Sequence, residues 1–323
     1  MLQRRFGRTG REVSEVGYGM WGMGGWTGSD DDESLASLRL AVELGCNFFD
    51  TAYAYGEGHS ERLLGRLLRD FPDRALYVAT KIPPKNRVWP SRAEFRVEDV
   101  FPYDYICEYA EKSRANLGVE RIDLLQFHVW EDSWSDAEPW RRAVEDLKAR
   151  GLVGGFGVSV NRWEPENCLK TLRTGAVDAV QVIYNIFDQA PQDALFPLCR
   201  ELDVAVIARV PFDEGTLTGT LTKTTTWPAG DWRNTYFVKE NLEASVDRAE
   251  ALRPLVPDGM TMPELALRFI LDEPAVATII PGMRKEKHVR ANLAASDGRP
   301  LDRALVEALR AHRWDRKPTR WSQ

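Results

Sequence analysis

Four ionisable side chains fall at the ends of successive apolar runs. Asp50 closes NFFD, Tyr55 follows within TAYAYGEG, Lys81 closes LYVATK and His128 closes IDLLQFH. If those run ends share one mouth, a carboxylate, a phenol, an amine and an imidazole meet there. A lysine beside a carboxylate stays protonated, and a phenol beside that ammonium has its pKa drawn from about 10 toward neutrality, so that it can give up a proton. A neutral histidine within hydrogen-bonding reach orients a carbonyl or relays the proton. The set therefore suits polarising a carbonyl group while another agent delivers or accepts hydride. Singly, each residue has a plainer reading: an aspartate caps a loop, a lysine snorkels, a histidine or tyrosine packs. Jointly, at successive run ends, those readings lose force. Gly56 and Gly58 stop regular structure after Tyr55 and free the chain to turn it back into the mouth.

The elements that must position these groups follow from the pattern of the whole chain, in which short apolar runs alternate with amphipathic helical stretches. VGYGM precedes DDESLASLRLAVELG, CNFFDTA precedes SERLLGRLLRDF, LYVATKI precedes YICEYAEKSRANLG, and IDLLQFH precedes EPWRRAVEDLKARG. The beat continues with GGFGVSV and PENCLKTLRTG, AVQVIYN and DALFPLCREL, VAVIARVP and a longer segment with a helix at PELALRFILDE, then VATIIPG and KEKHVRANLAA. Near-continuous apolar runs mark strands buried on both faces, and strand-helix alternation calls for a parallel sheet. Eight such pairs in 323 residues predict an α/β chain folded as one (β/α)8 TIM barrel over residues 1–323, with no linker dividing it. Two segments lie outside the count: QRRFGRTGREVSEVG, a short hairpin turning at Thr9-Gly10, and LDRALVEALRAHRW, an extra C-terminal helix. Loops after strands carry the active sites of such barrels, so the irregular segments 83–104 and 213–242 are expected at a pocket rim.

Composition narrows the partners. A net charge of -6 and a pI near 5.5 leave no basic stripe for nucleic acid. No apolar run approaches the roughly 20 residues that cross a bilayer, so a soluble, cytoplasmic protein without a membrane partner is expected. Cys46, Cys107, Cys168 and Cys199 lie far apart, without the spacing of a metal site or disulfide framework. Free thiols in a reducing compartment, mostly buried, and no metal are the expectation. Oligomeric state is not legible.

The stretches GYGMWGMGG, FFDTAYAYG, ATKI, LLQFH, GVSV, QVIYNIFDQ and IPGMRKEKHVRAN together resemble the aldo-keto reductase superfamily along nearly the whole chain. The resemblance implies a barrel closed at its bottom by the N-terminal hairpin, binding NADPH (NADP+) without a Rossmann glycine motif, and no GxGxxG follows a strand here. It makes Tyr55 the general acid, Lys81 the group that depresses its pKa, Asp50 the ion-pair partner of Lys81, and His128 the residue that orients the substrate carbonyl. Cofactor positions carry over less uniformly. Such proteins usually read Ser-Asn after the fifth strand, both binding the nicotinamide carboxamide; here Ser159 is followed by Val160, and whether Asn161 compensates is open. Gln181 matches the other carboxamide ligand. Met20, Trp21 and Asp50, with Pro211, Leu217 and Gly219 after the seventh strand, are further expected cofactor residues. The adenine end maps to Gly282, Met283, Arg284, His288 and Asn292, with Ala291 where a glutamate often stands. Arg209 occupies the position where the family usually stacks a tyrosine or tryptophan on nicotinamide; turning aside to pair with Asp213 or Glu214 is its plainer role.

Tryptophans follow several strands, and Trp21, Trp26, Trp89, Trp130 and Trp232 are expected to line the substrate pocket with Tyr55 and His128. Aromatic walls suit aromatic or aliphatic carbonyl compounds better than highly charged ones. The leading expectation is an NADPH-dependent reductase of aldehydes or ketones. A Schiff-base aldolase using Lys81 is opposed by the neighbouring carboxylate, which keeps the amine protonated. A non-catalytic nucleotide-sensing subunit, like the potassium-channel β subunits of the same resemblance, is the other alternative.

Overall fold

In the computed structural model, which describes residues 1–25, 29–317 and 319, the expected barrel is present. A two-stranded antiparallel hairpin, β1 (Gln3–Arg5) and β2 (Glu12–Ser14), precedes eight parallel strands. These are β3 (Tyr18–Gly19), β4 (Phe48–Asp50), β5 (Tyr77–Ile82), β6 (Ile122–Phe127), β7 (Val153–Ser159), β8 (Ala179–Ile183), β9 (Ala205–Arg209) and β10 (Val276–Ile279). They pair in chain order, and the seam between first and last is closed by main-chain bonds from Gly17 N to Ile279 O (2.8 Å) and Gly19 N to Pro281 O (3.0 Å). Among the described residues no helix is long and apolar enough to cross a membrane.

Strand alternation sorts each run into two faces. On β5, Tyr77 and Ala79 join Phe48, Leu124, Ala179, Ala205 and Ile207 in the cluster inside the barrel, while Val78 and Ile82 pack outward under the helices. The same alternation carries Lys81 inward, one step beyond Ala79. The hairpin plugs the N-terminal end: Phe6 is fully buried against Phe48 and Tyr77, with ring centroids 5.5 and 5.1 Å away. The inward residues Asp50, Lys81, Gln126 and Gln181 lie toward the opposite mouth.

The helices follow the expected beat with three differences. The fifth crossover holds only Leu169–Arg173, because residues 164–168 are spent on turns, Asn167 N bonding to Glu164 O and Cys168 N to Glu166 O. The long segment after β9 contains a 14-residue helix, Lys239–Leu252, whose inner face is Leu242, Val246, Ala249 and Leu252. The segment after β5 carries a short helix, Val97–Val100. The extra C-terminal helix spans Arg303–Arg310, with the Asp302 side chain accepting from Ala304 N. Cys46, Cys168 and Cys199 are buried free thiols, whereas Cys107 is only half-buried.

Candidate active site

Asp50, at the last position of β4, and Lys81, on β5, are both almost wholly buried and form an ion pair of 2.5 Å. Lys81 Nζ also donates to Thr51 O at 2.7 Å. The second oxygen of Asp50 accepts from Gln181 Nε2 (2.8 Å) and, more weakly, Gln126 Nε2 (3.3 Å). A buried carboxylate is thereby fully engaged, which is the condition for keeping it charged. Gln126 was overlooked in the sequence, although period-two alternation in IDLLQFH places it on the same side as Leu124 and His128.

Tyr55 lies above this pair, its ring centroid 5.2 Å from Lys81 Nζ. The turn that carries it needs Gly56 at φ 69° and Gly58 at φ 83°, and a Cβ on Gly56 would stand 2.4 Å from Gly24 O. His128 faces Tyr55 edge-on at 5.6 Å and Trp89 at 6.1 Å. Burial, then the charges of Lys81 and Arg209, hold its imidazole well below its ordinary pKa, so it is neutral, and its buried Nδ1 has no partner among the described residues. One expectation is corrected. Lys81 does pull the Tyr55 phenol down, but burial outweighs it and Asp50 opposes it, leaving the phenol above its ordinary value rather than near neutrality.

These residues open onto a cavity of about 780 Å³ whose walls include Tyr55, Trp89, His128, Ser159, Gln181 and Arg209, with Trp232 at its outer edge. Trp21 is exposed and meets Trp232 edge-on at 5.5 Å, forming the rim rather than the wall. Trp130 is not in the pocket. Its indole is fully buried behind the wall, stacked on Phe127 and edge-on to Trp134 and Trp140, and its N–H reaches Thr171 Oγ1 at 2.9 Å. That site satisfies both its large apolar body and its single donor, and Val129 lines the cavity instead. Trp26 lies outside the described residues. Trp163, Arg162 and Tyr236 also line the cavity, and no local sequence pattern announced them.

Ser159 and Gln181 are adjacent across β7 and β8, as are the ends of β8 and β9 that carry Ile183 and Arg209. Asn161 is committed elsewhere, its amide donating to Glu131 Oε1 (3.0 Å) and Glu164 Oε2 (2.8 Å) while its carbonyl accepts from Ser91 N (3.3 Å). Arg209 does not turn aside to an acid. Glu214 is taken by Arg162, and Asp213 by Arg316 at 2.7 Å. Arg209 Nη2 instead donates to Val160 O at 3.0 Å, and its buried Nε has no partner among the described residues.

The remaining expected cofactor residues gather at the rim. Met20, Leu217 and Met283 are fully buried, main chain and side chain alike. Pro211 is buried, and Gly219 at φ 67° closes the turn Asp213–Thr218. Gly282 is open, bridged to Gly19. Arg284 is half-buried against Gly22, and Lys285, Lys287 and His288 are exposed at the entry to helix Glu286–Ala294, with Asn292 buried one turn beyond His288.

Comparison with known proteins agrees with this fold. The model of the aldo/keto reductase family matches residues 15–313. The chain is 30% identical over 329 residues to an Escherichia coli protein named as an NADH-specific methylglyoxal reductase, covering 94% of this chain and 98% of that one. The holo form of an aldo-keto reductase from Bacillus halodurans is similar with a TM-score of 0.77 at 25% identity, over 100% of both chains. A glycerol dehydrogenase from Gluconobacter oxydans gives a TM-score of 0.79 at 27% identity, over 98% of this chain and 97% of its own.

Proposed function

The chain belongs to the aldo/keto reductase family, generally carbonyl reductases dependent on a nicotinamide cofactor, and from that premise we propose that it reduces an aldehyde or ketone with Tyr55 as the proton donor. The observation that carries this reading is the buried Asp50–Lys81 pair directly beneath Tyr55 at the cavity floor. When bound, the reduced nicotinamide supplies the hydride. Tyr55 gives its phenolic proton to the carbonyl oxygen, and Lys81 stabilises the phenolate that remains. Asp50, held by Gln126 and Gln181, fixes Lys81 in place. Neutral His128 donates a hydrogen bond that orients the carbonyl. Lys81 acting as a Schiff-base nucleophile is disfavoured, because its ammonium is occupied by Asp50 and Thr51 O.

The residues present fit a nicotinamide cofactor. The cavity offers the Ser159 hydroxyl, the Gln181 carbonyl oxygen and an unpartnered Arg209 Nε, polar valences that a carboxamide-bearing ring can take up. Ser159, Gln181 and Arg209 would hold the nicotinamide end. Main chain around Met20, Trp21, Pro211, Leu217 and Gly219 would border the cofactor's middle, and Gly282, Met283, Arg284, His288 and Asn292 the adenosine end. We assign NADPH as the preferred form because Arg284, flanked by Lys285 and Lys287, suits a 2′-phosphate. The Escherichia coli relative is named for NADH, so this preference belongs to the residues of this chain and not to the family. Free, mostly buried thiols fit a reducing cytoplasm.

A panel of methylglyoxal, benzaldehydes and keto acids, followed by the absorbance of NADPH and of NADH, tests the reading. Oxidation of reduced cofactor with at least one carbonyl compound is expected; tight NADPH binding without turnover across the panel would overturn it in favour of a nucleotide-sensing role.

A further inference from the structure

The charges around Tyr55 are mostly cancelled. Lys81 is the cation nearest its ring, but it is locked to Asp50, and the pair carries no net charge. A neutral pair acts at a distance only as a dipole, and here Asp50 offsets part of the pull that Lys81 exerts on the phenol. At this end of the barrel Arg162 is paired with Glu214 and Arg316 with Asp188 and Asp213, while Glu131 and Glu164 on the cavity wall accept from the amides of Asn161 and Asn167. His128 contributes no charge.

Among these cations Arg209 is the exception, with no carboxylate paired to it among the described residues. It comes from the end of β9 on the cavity wall shared with Tyr55 and His128. Its anchor is the carbonyl of Val160, a neutral dipole, and its Nε has no hydrogen-bond partner among the described residues. A carbonyl fixes the orientation of a guanidinium without cancelling its charge, which a carboxylate at the same place would do. Burial, reinforced by Arg162, pushes the guanidinium down to about 10, as befits a buried cation short of counter-charge. Two of the departures from the family pattern, Val160 and Arg209, thus touch each other.

We propose that Arg209 is a second cation of the reaction centre that acts through Tyr55, its uncompensated charge stabilising the phenolate left when Tyr55 gives its proton to the substrate carbonyl. This inference rests on the assignment of Tyr55 as proton donor. In the step, the phenolic O–H bond breaks, an O–H bond forms on the carbonyl oxygen, and the reduced cofactor supplies the hydride to carbon. In alcohol oxidation the phenolate takes the proton back. The groups facing Tyr55 are then Asp50 from β4, Lys81 from β5, His128 after β6 and Arg209 from β9, and of these Arg209 supplies the net positive charge.

The test uses Arg209→Gln, which removes the charge while keeping a donor for the Val160 carbonyl, with Arg209→Lys as the charge-preserving variant and Arg209→Met should the glutamine variant fail to fold. Phenolate absorbance of the cofactor-free protein is titrated with and without Tyr55→Phe, so that the difference isolates Tyr55 among the nine tyrosines. Loss of the charge is expected to raise the Tyr55 midpoint by about one pH unit or more, the low end for an adjacent charge, and lysine to restore most of the shift. The pH profiles of kcat should move with it: the alkaline limb of carbonyl reduction and the ascending limb of alcohol oxidation both shift to higher pH. Coincident midpoints and profiles in folded wild type and Arg209→Gln would overturn the proposal. Should no carbonyl compound be reduced, the function proposed above fails, while the absorbance titration still decides the role of Arg209.

Discussion

The phenol of Tyr55 and the imidazole of His128 are both shifted toward their neutral forms, and the two shifts have different consequences for rate. In the mechanism proposed above, reduction needs the protonated phenol and the neutral imidazole, so a raised phenol would keep the donor loaded to high pH, and a depressed imidazole would remove the acid limb that an ordinary histidine imposes. Carbonyl reduction is accordingly expected to be flat in kcat between about pH 5.5 and 8, the range in which an unperturbed histidine changes charge; a loss centred near pH 6.5 that vanishes in His128→Gln would contradict this. Tyr55→Phe should leave cofactor binding nearly unchanged and slow reduction by about 10²-fold or more, read as kcat at saturating cofactor. Arg284→Ala should weaken NADPH by roughly 1.5 to 3 kcal/mol while leaving NADH almost untouched, and equal losses in a fluorescence titration would remove it from the phosphate. The sequence disclosed the ionisable set because strand ends are readable. It did not disclose that Asp50 answers to Gln126, nor that Glu214 and Asp213 are claimed by Arg162 and Arg316, because partners so distant along the chain leave no local period.

Turns make a sharper experiment than strands. Gly56 and Gly10 have the same φ of 69°, yet a Cβ would stand 2.4 Å from Gly24 O at the first and meet nothing within 4 Å at the second. Gly10→Ala should therefore cost only the left-handed backbone strain, about 1 kcal/mol in denaturant unfolding, with unchanged kcat. Gly56→Ala adds a collision beside Tyr55, and a displacement of the order of 1 Å there is expected to lower kcat by about 10²-fold. Similar activities in the two variants would show that the Tyr55 turn tolerates movement. Among helices, Lys239–Leu252 was readable from Leu242, Val246, Ala249 and Leu252 at helical spacing, but it interrupts the strand-helix beat that organised the rest and so was passed over. Trp130 went astray for the opposite reason. Its position after β6 suggested the mouth, and only the neighbouring Trp134 and Trp140 decide that it packs behind the wall.

Across the whole molecule, Arg316 ties the C-terminal tail to the catalytic face. Its guanidinium is buried, bonded to Asp188 at 2.6 Å and Asp213 at 2.7 Å, and layered between Trp163 and Trp314, each 4.6 Å away. Arg316→Ala would strand two buried carboxylates together, and a loss of about 3 to 5 kcal/mol is expected from denaturant unfolding, with partial recovery in Arg316→Lys. An effect below about 1 kcal/mol would mean that water reaches the site. The same architecture orders events during synthesis. β3 emerges from the ribosome long before β10, yet each is the other's neighbour at the seam, and Asp188 and Asp213 await an arginine translated after all of them. A growing chain therefore carries an unpaired strand edge until β10 has emerged and two unneutralised acids until Arg316 has, which is the interval in which a chaperone can be of use.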